Sequence, residues 1–197
     1  RVLFPWIGEH RMRLSSDPIG GTKLKRRGRI MEQIYGVRRD GSYYTRVEWA
    51  NHTQPDPMLW VCNLINDDQE RNGGTFGANS YGPVDVVLSF FGETQKVGKI
   101  RFYRNVGATV SILEELAKLI NVYVSETDEP RTLRTKDDQV NSVPWKLIAS
   151  VPIEKSEGWT EVILGEPVTA KYVRLELTEN QGTELEWTEI NECKLYP

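Results

Sequence analysis

Short stretches of alternating apolar and polar residues dominate the chain from Pro83 onward. In 171–177, Tyr172 and Arg174 face one way and the aliphatic residues between and after them face the other, which is the period of a half-buried strand. Turn residues separate such stretches at short spacing. These signals predict seven strands, at 84–90, 99–104, 121–125, 145–150, 160–164, 171–177 and 192–196. Many short strands with no repeated helix between them predict an all-β protein, an antiparallel β-sandwich.

One segment departs from this period. Apolar residues at 112, 113, 116, 119 and 120 fit one face of a helix, which predicts a short helical turn in a loop, with an irregular strand as the alternative. The polar stretch 126–143 has no period and is predicted to be an exposed loop. Residues 29–35 and 43–49 are further candidates for strands.

Charge divides the chain into two parts. Residues 1–48 carry 11 Lys and Arg against 5 Asp and Glu, whereas 49–197 carry 14 against 23. We therefore expect a basic N-terminal extension or linker over 1–45, partly packing on a sandwich domain formed by 46–197. The basic run 23–29 is more often a solvated tether than a nucleic-acid site, and a net charge of −3 gives no reason to expect nucleic acid.

The chain starts at Arg1, and it carries neither a signal peptide nor an apolar run long enough for a transmembrane segment. We expect a monomeric module cut from a longer, secreted or cell-surface protein. Two cysteines are too few for a disulfide scaffold or a cysteine-based zinc site. Cys62 and Cys193 are interpreted as small buried hydrophobes.

No catalytic motif is present in the sequence. His10 and His52 are the only histidines, and neither lies in a nucleophile or metal motif. Adjacent acids such as Glu114 and Glu115 point apart on a helix or strand, although 28 acids leave a facing glycosidase pair open. The sequence therefore predicts a protein that is not an enzyme.

Five motifs follow one another in a recognisable order. They are Asn63–Asp67 (Asn-Leu-Ile-Asn-Asp), Val97–Tyr103, Val122–Ser125 followed by Trp145, Ala170–Leu175 and Asn191–Tyr196. Together they resemble the discoidin or coagulation-factor type C group, and most closely its family 32 carbohydrate-binding modules. The resemblance implies an eight-stranded jelly roll of the galactose-binding type, which agrees with the strand pattern.

The turn from Asn63 to Thr75 crowds carbonyl, amide and carboxylate oxygens together, and calcium prefers such ligands. The resemblance implies a structural calcium that ties the first and last strands together. It also implies that Cys62 and Cys193 lie near this corner, so a disulfide between them is the alternative to two buried thiols. Its implied ligands are Asn63, Asn66, Asp68, Thr75 and Glu192. The family's usual aspartate is Asn66 here, and Asp67 is a possible substitute. The alternative is an ordinary polar turn closed by side-chain hydrogen bonds.

Sugars are bound by aromatic faces and by side chains that grip hydroxyls. The resemblance implies a carbohydrate site on loops at one end of the sandwich, formed by Arg104, Asn105, Trp187, Tyr81 and Asn79. A Trp-His pair common in the family is absent, because Gly77, Ala78 and Asn79 stand in its place. The alternatives are a core position for Trp187 and a salt-bridge role for Arg104.

The resulting hypothesis is a non-catalytic carbohydrate-binding module, an accessory domain of a secreted glycan-active enzyme. Such a module holds its enzyme on a glycan or polysaccharide by weak, multivalent attachment. Two other functions stay open: a discoidin-type domain that binds a protein or an anionic membrane surface, and a structural spacer in which Arg104 and Trp187 are buried or paired internally. The sequence does not identify the sugar.

Overall fold

The computed structural model describes residues 36–52, 56, 59–69, 76–79, 83–105, 114–127, 143–182 and 187–197. Strands form most of the regular structure in these ranges, and a 3-10 helix spans Val61–Ile65. The strands are β1 (Arg46–Ala50), β2 (Phe76–Asn79), β3 (Val84–Ser89), β4 (Gln95–Arg104), β5 (Ala117–Ser125), β6 (Lys146–Pro152), β7 (Gly158–Ala170), β8 (Tyr172–Asn180), β9 (Trp187–Ile190) and β10 (Glu192–Tyr196).

The strands form two main sheets and a small ribbon. A five-stranded sheet has the order β1-β3-β8-β5-β6, a three-stranded sheet has the order β10-β4-β7, and β2 pairs with β9. Every strand pair within these sheets is antiparallel. The predicted antiparallel sandwich is therefore confirmed.

The core lies between the two sheets and follows from the alternation along each strand. In β8, Val173, Leu175 and Leu177 are at most 1% exposed and point into the core. In β4, Ile100 and Phe102 belong to the same cluster. The predicted facing of residues 171–177 is correct, because only one face of each strand can reach the opposite sheet.

The segment 112–120, where the sequence predicts a short helical turn or an irregular strand, includes the start of β5. The strand alternative holds from Ala117 onward, and among the residues described there only Glu114 and Glu115 are helical. The β5–β8 register shifts on both sides of Leu119. A bulge at Leu119 breaks the period of two at the start of β5, and residues 112 and 113 lie outside the described part of the chain.

The β2–β9 ribbon closes one end of the sandwich, which we call the upper end. The Asn180 side-chain amide, at the end of β8, donates to the carbonyl oxygen of Trp187 at 2.8 Å. The Asn105 N–H, just past β4, donates to Asn191 Oδ1 at 2.7 Å. Strand β9 therefore crosses from the five-stranded sheet to the three-stranded sheet, and the opposite end is called the lower end.

Residues 36–45 pack against the sandwich. The Tyr43 N–H donates to the Leu195 carbonyl oxygen at 2.7 Å, and the Tyr43 hydroxyl donates to the Lys96 carbonyl oxygen at 2.7 Å. Ser42 is fully buried. The boundary between an extension at 1–45 and a domain at 46–197 stays a prediction, and residues 1–35 lie outside the described part of the chain.

Both cysteines are free thiols. Cys193 is buried in the core, as expected for a small hydrophobe, whereas Cys62 is exposed on the 3-10 helix. Burial raises the pKa of the Cys193 thiol, and partial burial raises that of Cys62.

Candidate functional site

Arg104 ends β4 at the upper end, but its side chain points inward. Period two in β4 puts it on the same face as Ile100 and Phe102, and it is 2% exposed. Its Nε donates to the Ser156 carbonyl oxygen at 2.6 Å, and its Nη1 donates to the Thr160 hydroxyl. Burial lowers its pKa, although the charge of nearby Glu154 opposes this. The guanidinium therefore holds the β6–β7 turn in this conformation and does not face solvent.

Trp187 begins β9 and packs over the β2 backbone. A Cβ at Gly77 would lie 3.0 Å from Trp187 Cζ2 and 3.0 Å from Leu59 Cδ2. The indole and the Leu59 side chain therefore both pack against Gly77. The indole N–H donates to Glu189 Oε1 at 2.7 Å. The ring is partly exposed and its orientation is set by these contacts.

The other predicted sugar-binding residues are placed unevenly. The Asn105 side chain is partly buried, and its amide donates to the Gln69 carbonyl oxygen at 2.8 Å. Asn79 ends β2, where its backbone pairs with Trp187. Tyr81 lies outside the described residues. Trp187 precedes Asn191 by four residues, or about 13 Å of strand, so Arg104 and Trp187 share the upper end but do not form one compact cluster.

Trp60 is an aromatic residue to which the sequence pattern assigns no role. It is 47% exposed, more than any other aromatic residue in the described part of the chain. It follows Leu59, which touches the same glycine as Trp187. Its position just before the apolar 3-10 helix carries no pattern that distinguishes a surface tryptophan from a core one.

A cavity of about 530 Å³ lies at the lower end, away from all of these residues. Its polar lining includes Ser125, Glu126, Lys146 and Glu166. None of the lining residues is aromatic, which makes it a poor platform for a sugar ring. The predicted site and the cavity are therefore at opposite ends.

Four of the five predicted calcium ligands lie in or near one corner of the upper end: Asn63, Asn66 and Asp68 in the turn, and Glu192, which contacts that turn at Asp67. Glu192 starts β10, is fully buried, and its Oε2 accepts the Asp67 N–H at 3.1 Å. Asn66 Oδ1 accepts the Asp68 N–H at 2.9 Å, and Asn63 Oδ1 accepts the Asn66 side-chain amide at 3.4 Å. Thr75 lies outside the described residues.

Two positively charged side chains stand in the same corner. The Lys194 ammonium binds Asp40 Oδ2 at 2.6 Å and also binds Asp67 Oδ1. Arg38 donates to the Ile65 carbonyl oxygen at 2.7 Å, and its Nη1 is 3.7 Å from Glu192 Oε1. We call these residues the corner cluster: Arg38, Asp40, Ile65, Asp67, Glu192 and Lys194.

The pKa values in the corner cluster reflect burial and charge together. Burial raises the pKa of Glu192 to about 8, although Arg38 and Lys194 oppose the shift. Burial acts in the same sense on Asp40, but hydrogen bonds from Lys194 and Ser42 outweigh it and lower the pKa. Burial would lower the pKa of Lys194, yet its bonds to Asp40 and Asp67 raise it.

A calcium ion needs six or more oxygen ligands with lone pairs directed at it. Asn63, Asn66 and one Glu192 oxygen already accept hydrogen bonds. Glu192 Oε1 is buried and accepts none from the described residues, but it faces the Arg38 guanidinium. The described residues therefore do not fit the ion, and they contain no group of three or more His, Cys, Asp or Glu side chains arranged to hold a metal. The calcium site stays a prediction, and the positive charges of Arg38 and Lys194 would repel the ion there.

The fold is a jelly-roll β-sandwich that is similar to the fold of solved family 32 carbohydrate-binding modules. No family model matches the sequence, and no curated protein matches it. Among the described residues, no helix is both long enough and apolar enough to cross a membrane.

Particular solved structures share this fold. The family 32 module of Streptococcus pneumoniae EndoD has a TM-score of 0.59 at 16% identity, covering 79% of this chain and 97% of that one. The family 32 module of Clostridium perfringens NanJ, in complex with galactose, has a TM-score of 0.57 at 12% identity. The match covers 78% of this chain and 94% of that one. A chitosan-binding module from a Paenibacillus chitosanase/glucanase has a TM-score of 0.56 at 14% identity. The match covers 79% of this chain and 97% of that one. At these identities the likeness shows the fold.

Proposed function

We propose that this chain is a non-catalytic carbohydrate-binding module that binds a glycan or polysaccharide at the upper end of the sandwich. The observation that carries the proposal is Trp187, a partly exposed indole held in one orientation by Glu189 at that end. The fold supports it, because solved modules of this fold were crystallised with galactose or are described as chitosan-binding.

The chemistry at this end suits a sugar. An aromatic face stacks on the C–H patches of a pyranose ring, and nearby amides bind hydroxyl groups. Trp187 packs at Gly77 together with Leu59, which precedes the exposed Trp60 in the chain, and the Asn105 amide donates to the Gln69 carbonyl oxygen. Arg104 contributes by holding the turn at Ser156, since its guanidinium is buried.

The wider role is part of the same proposal. The chain would act as a monomeric accessory domain of a secreted or cell-surface glycan-active enzyme, as the source of the chitosan-binding neighbour suggests. A single shallow site binds weakly, so such a module gains retention on a polysaccharide from several attachments at once. We propose no catalytic step for the chain itself.

The test is a glycan array with the full chain, followed by affinity electrophoresis on the polysaccharides that bind. Trp187→Ala and Trp60→Ala are each expected to weaken binding on the order of tenfold or more, as for an aromatic anchor in an interface. Trp145→Ala is the matched control, because Trp145 immediately precedes β6 at the lower end, between Pro144 and Lys146, which line the cavity there.

Three results would count against the proposal. Failure to bind any glycan would contradict the proposed function. Binding that is unchanged in both upper-end variants would show that the sugar site lies elsewhere on the protein. Sedimentation with anionic liposomes, without glycan binding, would instead favour a membrane-binding discoidin-type domain. Far-UV circular dichroism of each variant confirms that a loss of binding is not a loss of fold.

A further inference from the structure

The corner cluster joins three segments that are distant in the sequence. Lys194 in β10 bonds to Asp40, 154 positions earlier, and to Asp67, 127 positions earlier. Arg38 adds a bond to the carbonyl oxygen of Ile65 at 2.7 Å. The N-terminal segment, the turn after the 3-10 helix and the last strand are therefore held together by side-chain cations.

We infer that the Lys194 ammonium and the Arg38 guanidinium are a built-in cation centre, which takes the structural role that the resemblance assigns to calcium. A bound calcium would tie the turn at 63–68 to the last strand. Lys194 makes the same connection through Asp67, and Arg38 makes it through Ile65 and Glu192. The centre also adds a third segment, because Asp40 is one of its ligands.

The burial of the centre supports this role. The Lys194 side chain is 7% exposed and the Arg38 side chain is 13% exposed. Charges at this depth are screened little by salt and are stable only when they are paired. A dication placed among the same oxygens would lie against both cations, since Arg38 is within 3.9 Å of Asp67 and 3.7 Å of Glu192.

The inference implies that residues 38–45 belong to the folded domain. Besides Asp40, this segment contributes the Tyr43 backbone bond to Leu195 and the Tyr43 hydroxyl bond to Lys96. The domain therefore includes the end of the basic part of the chain, which the charge pattern had assigned to an extension. This inference does not depend on sugar binding.

The first experiment measures the melting temperature of the full chain in a chelator and in millimolar calcium, with calorimetric titration of calcium into the chelator-treated protein. We expect the same melting temperature in both buffers and no saturable heat. A saturable rise in melting temperature with calcium would overturn the inference, because an ion that binds only the folded state stabilises it by mass action.

The second experiment removes the ammonium. Lys194→Met is expected to lower the melting temperature by about 5 °C or more, because it removes a buried ammonium and its two charge-assisted hydrogen bonds, to Asp40 and Asp67. The matched control is Lys118→Met, which breaks an ion pair with Glu179 at 2.9 Å whose side chains are 56% and 53% exposed. That variant is expected to change the melting temperature by no more than about 2 °C.

Equal losses in the two lysine variants would show that the Lys194 contacts stabilise the fold no more than an exposed ion pair does, and would overturn the inference. If Lys194→Met fails to fold, Asp40→Asn replaces it. That change keeps the shape of the side chain and removes one of the two charges that Lys194 binds, so the melting temperature is expected to fall by an intermediate amount. An unchanged melting temperature in Asp40→Asn would contradict the built-in centre.

Discussion

The outer face of the five-stranded sheet carries a network of charged side chains that are largely buried from solvent. Arg174 is 4% exposed, and its Nε donates to Asp85 Oδ1 at 2.8 Å. Its Nη2 donates to Glu176 Oε1 at 2.7 Å, and the Glu176 carboxylate also accepts from the Tyr123 hydroxyl at 2.9 Å. Arg174 alternates with the core residues of β8, so this network lies on the side of the sheet away from the core.

Replacing Arg174 by methionine should be severely destabilising. It keeps an unbranched apolar chain but leaves Asp85, which is fully buried, without its cation. Removing one partner of a buried ion pair costs about 3–5 kcal/mol. In a protein of this size 1 kcal/mol shifts the melting temperature by about 2–4 °C, so the expected fall is roughly 6–20 °C.

The assay is differential scanning calorimetry together with urea unfolding. The control is Lys118→Met, whose pair with Glu179 is 2.9 Å long but exposed, and it should cost less than about 1 kcal/mol. The two pairs are almost equally short, so burial is the main difference between them. Losses of equal size in the two variants would refute the reasoning. Arg174→Met combined with Asp85→Leu should recover much of the stability, because an apolar pair of similar volume often replaces a buried ion pair without cost.

Three further predictions concern the core, the ribbon and pH. Phe102→Ala should lower the unfolding free energy by about 3–5 kcal/mol, measured as the urea midpoint. Gly77→Ala should lower the melting temperature and change the fluorescence of Trp187, because the added Cβ would lie 3.0 Å from the indole; an unchanged spectrum would contradict this packing. Burial holds the pKa of Glu192 at about 8, above its ordinary 4.5, so the folded chain keeps a proton that the unfolded chain releases, and stability should fall as pH rises between these values. The free energy of unfolding in urea, plotted against pH over that range, should fall less steeply for Glu192→Gln than for the unaltered protein. Equal slopes in the two proteins would disprove the raised pKa of Glu192.

The strands of the two main sheets were predictable because each has one face in the core. Alternation in 171–177 indicated both the strand and its buried side, and alternation in 99–104 indicated a strand; the structure confirms these predictions. The ribbon was not predictable in the same way. Strands β2 and β9 have four residues each, and β2 contains Gly77. A strand so short gives at most two residues per face, which no period can distinguish from a loop.

The placement of Arg104 shows a conflict between resemblance and strand geometry. The resemblance put its guanidinium in the sugar site, whereas the alternation of β4 puts it on the same side as Ile100 and Phe102. That signal was present in the sequence, because 100, 102 and 104 share one face of any regular strand. A strand-end arginine on the core face still reaches polar partners, here Ser156 and Thr160.

Strand alternation in β10 bears on the calcium prediction. An oxygen-rich turn attracts a cation, but the turn does not determine whether that cation is a metal or a side chain. Glu192, a predicted ligand, and Lys194 are two residues apart in β10, so they share a face at a separation of about 7 Å. A lysine on the same face as the ligand is a strong objection to a dication there. The acceptor that completes the alternative, Asp40, is 154 positions away, and only the closed fold brings it to Lys194.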